Sequence, residues 1–149
     1  MEKRGGNVRS HSTQTSIKKV KKGDIFRQQF RVSGEVYAGF IQLFKDKNPL
    51  HTDDDFAKAR GFQGRVMHGN ILNGFISYFI GECLPLKNVI IQTIKIQFVK
   101  PVYLDETLDF RAEVTDFFES VHTYEFSFYF SNAAGTKVAR GNIQIGLLS

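Results

Sequence analysis

The chain has 149 residues, 42% of them hydrophobic and 15 of them phenylalanine, with one cysteine and a formal net charge of +5. That is length for one domain and apolar content for a real core, which excludes an unfolded chain; a lone Cys83 excludes an internal disulfide framework or a cysteine-rich zinc site. No apolar run reaches the roughly 18 residues that a membrane-crossing helix needs.

In chain order, residues 1–19 come first as a basic, glycine-, serine- and threonine-rich tail without the apolar core of a secretory signal. This composition predicts a disordered tail. Seven bases against one acid put +6 in residues 1–22 and leave the remainder at −1. The folded part, residues 20–149, is therefore expected to be a nearly neutral single domain, which argues against nucleic acid as a partner. The single cysteine is compatible with a reducing cytoplasm, the expected location.

"GDIFRQQFRVS" reads as a first strand. Ser33 is placed to cap a helix whose apolar positions are Val36, Phe40, Leu43 and Phe44, ending near Lys45 because Pro49 disfavours helix before it. Thr52 followed by Asp53, Asp54 and Asp55 predicts the start of a short second helix, with the acids at the positive end of its dipole. The triplet lacks the spaced oxygen ligands of a calcium loop, so no metal is expected there. Residues 68–85, "HGNILNGFISYFIGECLP", are apolar nearly all round and predict a buried helix ended by Pro85. Four alternating segments follow: residues 88–100 with Ile94, Ile96 and Phe98 on one face, "TLDFRAEVTDF", "VHTYEFSFYF" and "KVARGNIQIGLL". They predict an antiparallel meander packed on one face. The simplest assembly is α+β: one curved antiparallel sheet wrapped around one long buried helix, a single hotdog fold.

Two stretches carry candidate chemistry. In "DKNPLH", a carboxylate, an amide and an imidazole (Asp46, Asn48 and His51) fall within six positions. A carboxylate and an imidazole can share one water, taking one proton while supplying another. The same residues equally suit an Asx-type turn with a surface histidine. In "HGN", Gly69 opens the buried helix, where unpaired amides at the positive dipole end favour developing negative charge. Gly69 as a packing glycine and His68 as a capping or core histidine are the alternatives. Cys83 reads as a small buried hydrophobe.

Taken together, "DKNPLHTDDDFAKARGFQGRVMHGNILNGFIS" resembles the MaoC-like family, the (R)-specific enoyl-CoA hydratases and dehydratases of hotdog fold, including their hydratase-2 motif. The resemblance covers roughly residues 20–148. It implies a hydro-lyase in which Asp46, Asn48 and His51 hold the reacting water and the Gly69 amide is an oxyanion donor. It implies further that His68, Asn70 and Ser77 lie at the substrate. The implied substrate is an acyl-CoA or acyl-carrier-protein thioester, in fatty acid metabolism, with no metal and no other cofactor. A homodimer is expected, or a larger assembly of dimers, with no membrane partner. Asn70 and Asn73, where apolar residues are common, leave acyl-chain preference open. The alternatives are a hotdog thioesterase, a carrier-protein dehydratase, and a non-catalytic acyl-CoA-binding module.

Overall fold

A computed structural model describes residues 19–149, so the predicted disordered tail lies, but for Lys19, outside the described residues. Among the described residues the first buried one is Val20, whose carbonyl accepts the Tyr124 hydroxyl at 2.9 Å.

Strand β1 (Ile25–Arg31) leads into helix α1 (Gly34–Phe44). Ser33 caps it, its hydroxyl accepting the Val36 N–H at 3.2 Å, and Lys45 closes it in the left-handed region at φ 61°. Ser33→Ala is expected to cost about 1 kcal/mol of stability, read as a lowered midpoint in urea unfolding with an unchanged slope. The second helix splits into α2 (Pro49–Thr52) and α3 (Asp54–Lys58). Asp53 rather than Thr52 caps α3, its carboxylate accepting the Phe56 N–H at 3.0 Å. The predicted start was one residue early because Pro49 already begins a turn of helix in which Thr52 is the last residue.

The long helix runs as α4 (Asn70–Tyr78) and continues through a π turn, Phe79–Cys83, marked by Leu84 N–H bonding to Phe79 O at 3.2 Å. Ile71, Leu72, Ile76, Phe79 and Ile80 are buried against the sheet. The opposite side is not covered by the described residues: Asn70, Gly74, Ser77, Tyr78 and Gly81 are exposed. An all-round apolar pattern thus predicted a central helix, but the fold shields one side of it.

Strands β2 (Val89–Phe98), β3 (Thr107–Phe118), β4 (Thr123–Ser131) and β5 (Lys137–Leu147) join β1 in one antiparallel sheet of order β1-β3-β4-β5-β2. Only β3, β4 and β5 form the expected meander. The connector 99–106 carries the chain from β2 back across the sheet, so β3 pairs with β4 and β1 while β2 pairs with β5 at the far edge. At Gly141 on β5, any side chain would strike the Lys95 carbonyl of β2, which is why glycine stands there. Inward phenylalanines meet the helix: the Phe79 ring lies 4.9 Å from Phe110 and 5.8 Å from Phe26, and Phe110 lies 4.8 Å from Phe130. These separations suit tilted and edge-on aromatic packing.

The near-neutral body conceals a local field. On the outer face of the sheet, Lys95, Arg111, Lys137 and Arg140 line a cleft of about 570 Å³, and Arg111 is bonded to Glu113 at 2.8 Å. Among the described residues, no helix is long and apolar enough to cross a membrane.

Candidate active site

The site forms where the α1–α2 loop meets the start of α4. Beyond Lys45, the loop folds on its own polar groups. Asp46 Oδ1 accepts the Asn48 N–H at 3.1 Å, and Asn48 Oδ1 accepts the Leu50 N–H at 3.0 Å as the cap of α2. Pro49, at the first helical position, loses no hydrogen bond there and presets the helical φ. One residue beyond Leu50, the single turn of α2 presents His51.

A reciprocal clamp fixes this histidine. Val66 N–H donates to Leu50 O at 3.0 Å, and His51 Nδ1 lies 2.7 Å from Val66 O. A carbonyl only accepts, so Nδ1 carries the proton and Nε2 keeps its lone pair. His68 has the opposite tautomer: its Nε2 lies 2.9 Å from the Asp46 main-chain carbonyl and must be the donor. Its Nδ1 is buried without a hydrogen-bond partner among the described residues. The two imidazoles stack with centroids 4.0 Å apart and planes 29° from parallel, and Phe40 backs His68 at 4.6 Å. His68 thereby ties down the Asp46 backbone and braces the His51 ring.

Asp46, His51 and His68 each offer a ligand-type atom, all within 4.8 Å of one another. Asp46 Oδ2 stands 4.0 Å from His68 Nε2, the separation of a loose contact rather than a hydrogen bond. With one nitrogen of each imidazole held by a carbonyl and His68 Nδ1 fully buried, the groups best placed for chemistry are the Asp46 carboxylate and His51 Nε2.

These side chains line a cavity of about 480 Å³ together with Gly69, Asn70, Phe98 and Lys100. The opening of α4 has no side-chain cap, and neither the Gly69 nor the Asn70 N–H donates to a partner among the described residues. Gly69 stands close to Phe98: an added Cβ would lie 2.8 to 3.2 Å from the far end of its ring, which would have to turn aside. Phe98, expected on the packed face with Ile94 and Ile96, is 51% exposed and covers the helix start instead.

Of the residues singled out from sequence, Asp46, His51, His68, Gly69 and Asn70 meet at this cavity. Asn48 does not line it; its side-chain oxygen accepts the Leu50 N–H as the cap of α2. Ser77 is exposed two turns along α4 and does not line this cavity. The Val66 carbonyl, which sets the His51 tautomer, was missed because a backbone acceptor leaves no mark in sequence. Lys100 was missed as an ordinary cation at the end of a strand.

Behind His68, burial pushes the Tyr37 hydroxyl up to about 12, and it donates to Arg65 O at 3.3 Å. The folded state therefore holds this proton above the ordinary pH 10 at which the unfolded chain releases it. Stability from this group is complete below pH 10 and is lost as pH rises toward 12. Alkaline unfolding followed by circular dichroism should show that loss over this interval, and Tyr37→Phe should remove it. Burial also raises the Cys83 thiol, which is half-buried rather than fully enclosed and sits in the π turn away from the cavity.

The model of the MaoC like domain matches residues 13–126. An (R)-specific enoyl-CoA hydratase from Aeromonas caviae is 31% identical over 100 residues, covering 67% of this chain and 75% of that protein. A mitochondrial 3-hydroxyacyl-[acyl-carrier-protein] dehydratase from Arabidopsis thaliana is 29% identical over 101 residues, covering 68% of this chain and 60% of that protein. Among solved structures, the (R)-hydratase from A. caviae superposes with a TM-score of 0.80 at 26% identity, over 87% of this chain and 98% of the other. The chain belongs to the MaoC-like dehydratase domain family, hydro-lyases of hotdog fold.

Proposed function

We propose that this protein catalyses the reversible addition of water to a trans-2-enoyl thioester, giving an (R)-3-hydroxyacyl thioester. The observation that carries it is the juxtaposition of Asp46 and His51, with its free Nε2, against the unpaired amides that open α4. The relatives named above act on such substrates by their names, a CoA thioester in one case and a carrier-protein thioester in the other.

In the forward direction the Asp46 carboxylate and His51 Nε2 hold one water over C3. The water oxygen bonds to C3 as its proton passes to the Asp46–His51 pair, and the alkene electrons move onto the thioester oxygen. The Gly69 amide and the α4 dipole stabilise that enolate. As the enolate collapses, C2 takes a proton from the pair, so one proton is taken and one returned. Two coupled groups acting on one water titrate as a unit. Addition from a single held water delivers hydroxyl and hydrogen to the same face. Every bond change is a proton transfer or a heterolytic addition, so the proposed step calls on no metal or redox cofactor.

Asn48 acts through the loop, as the cap that sets the spacing between Asp46 and His51. We place His68 as the brace of that pair, since both its ring face and its Nε2 are engaged inside the protein. A homodimer suits the open edges of β1 and β2 and the exposed Tyr78, Ile90 and Phe98, which a second copy would cover. The experiment is an assay of crotonyl-CoA that follows enoyl absorbance and free thiol together. Loss of absorbance without thiol is expected; thiol released in step would identify a thioesterase.

A further inference from the structure

His51 takes its tautomer from one carbonyl, that of Val66, which its Nδ1 reaches at 2.7 Å. That carbonyl stands on residues 65–67, a strap between α3 and α4 that belongs to no helix and to no strand of the sheet. Val66 makes one isolated bridge, to Tyr103, so single hydrogen bonds hold the strap in place. Met67 N–H donates to Val102 O at 2.8 Å, and Val66 N–H to Leu50 O at 3.0 Å. Arg65 is gripped on both sides by side chains. Its carbonyl accepts the Tyr37 hydroxyl at 3.3 Å, and its N–H donates to Asp54 Oδ1 at 2.8 Å.

Asp54 is the middle acid of the triplet expected to suit a helix dipole. Its neighbour Asp53 meets that expectation as the cap of α3, whereas Asp54 bonds a residue on the strap. The same Asp54 oxygen lies 3.6 Å from Arg65 Nε, so one residue meets it with backbone and guanidinium together. A Cβ on Gly64 would lie 3.0 Å from that oxygen, and glycine leaves the approach open. A hydrogen bond to a carboxylate is shorter and stronger than one between neutral groups. Of the two side-chain grips on Arg65, that of Asp54 is therefore the firmer.

We propose that Asp54 is a positioning residue for the hydration read above: it holds Arg65 N–H, fixes the adjoining Val66 carbonyl, and so keeps the His51 proton on Nδ1 and the lone pair on Nε2. The kinetic consequence rests on the hydratase reading; the tautomer does not. In a neutral imidazole, the hydrogen bond made by one nitrogen sets which of the two carries the proton. Such a bond weakens steeply once its acceptor moves out of line or beyond about 3.2 Å. Asp54 does not line the catalytic cavity and acts through a single peptide unit.

The test follows the full chain by nitrogen NMR of its histidine rings, above the pH at which imidazoles are protonated, with His51→Ala identifying the His51 signals. Asp54→Ala is compared with Asp54→Asn, which loses the charge but keeps an oxygen for Arg65 N–H. Asp55→Ala, at the exposed neighbour, is the control. Asp54 is itself exposed, so truncating it leaves the core intact. In the unsubstituted protein His51 should carry its proton on Nδ1. In Asp54→Ala the Nε2–H form should appear, and kcat on crotonyl-CoA should fall about tenfold at nearly constant KM, against the roughly 10²-fold that a misplacement of about 1 Å costs. Asp54→Asn should restore most of both readouts, and Asp55→Ala should change neither. An unchanged tautomer in Asp54→Ala overturns the proposal, as does a loss of kcat that asparagine does not restore. So does a lowered thermal midpoint with tautomer and kcat both kept, which would make the contact structural only. If the unsubstituted protein hydrates no crotonyl-CoA while Asp54→Ala still shifts the tautomer, the hydratase reading fails and the hold of Asp54 on His51 stands.

Discussion

Asp46→Asn and His51→Ala will each lower crotonyl-CoA hydration by about 10²–10⁴-fold, the range for loss of a general acid–base group. The physical reasons differ between them. Asparagine can still accept the Asn48 N–H through its side-chain oxygen and so preserve the loop, while removing the charge and the second basic oxygen. Alanine at 51 removes the basic Nε2 and also the bond to Val66 O, so about 1 kcal/mol of stability should be lost with the activity. Asp46→Asn is therefore the cleaner probe of chemistry. The double variant should fall little further than either single one, because two groups working on one water act as a unit. Steady-state rates with thermal unfolding midpoints check all three; singles that multiply in the double variant would mean that the two side chains act separately.

The second large effect is at Gly69. Gly69→Pro should cost about 10²–10³ in kcat, the usual loss for one oxyanion donor. Gly69 has φ −55°, close to the angle that a proline ring imposes, and it opens the helix, where a proline forfeits no helical bond. The substitution therefore deletes an N–H with little change of backbone. Gly69→Ala is the steric control. It brings the same Cβ against Phe98, whose exposed ring can swing away, yet it retains the amide. An alanine variant that keeps most of the activity lost by proline assigns the effect to the N–H; equal losses would assign it to Phe98.

Much of the architecture was legible because it follows local rules. The Ser33 cap, the stop near Lys45 and the alternation of β3 to β5 are set by neighbours in sequence, and each appears within a residue or two of its expected place. The position of β2 was not legible. Its alternation is as clean as that of the others, and pairing with β5 rather than β3 depends on where the connector 99–106 crosses. The π turn at Phe79–Cys83 breaks no sequence rule, so apolar spacing gave no sign of it. Summed charge hid the four cations on the outer sheet face, since a sum carries no positions.

At the site, residue types were readable and roles were less so. Asp46, His51 and Gly69 were chosen for chemistry and do share a cavity. Asn48 is expected as a water ligand, and its side-chain oxygen accepts the Leu50 N–H as the cap of α2. The tautomers of His51 and His68 depend on the main-chain carbonyls of Val66 and Asp46, which only the folded chain brings near. Those two hydrogen bonds give a pair of stacked histidines opposite tautomers.

The most direct measurement of the central claim is hydration of crotonyl-CoA in deuterium oxide, with the product analysed by NMR and chiral separation. The account predicts an intact thioester bearing an (R)-hydroxyl at C3 and a single deuterium at C2 on the same face. Free coenzyme A, an (S)-hydroxyl, or deuterium on the opposite face would contradict it.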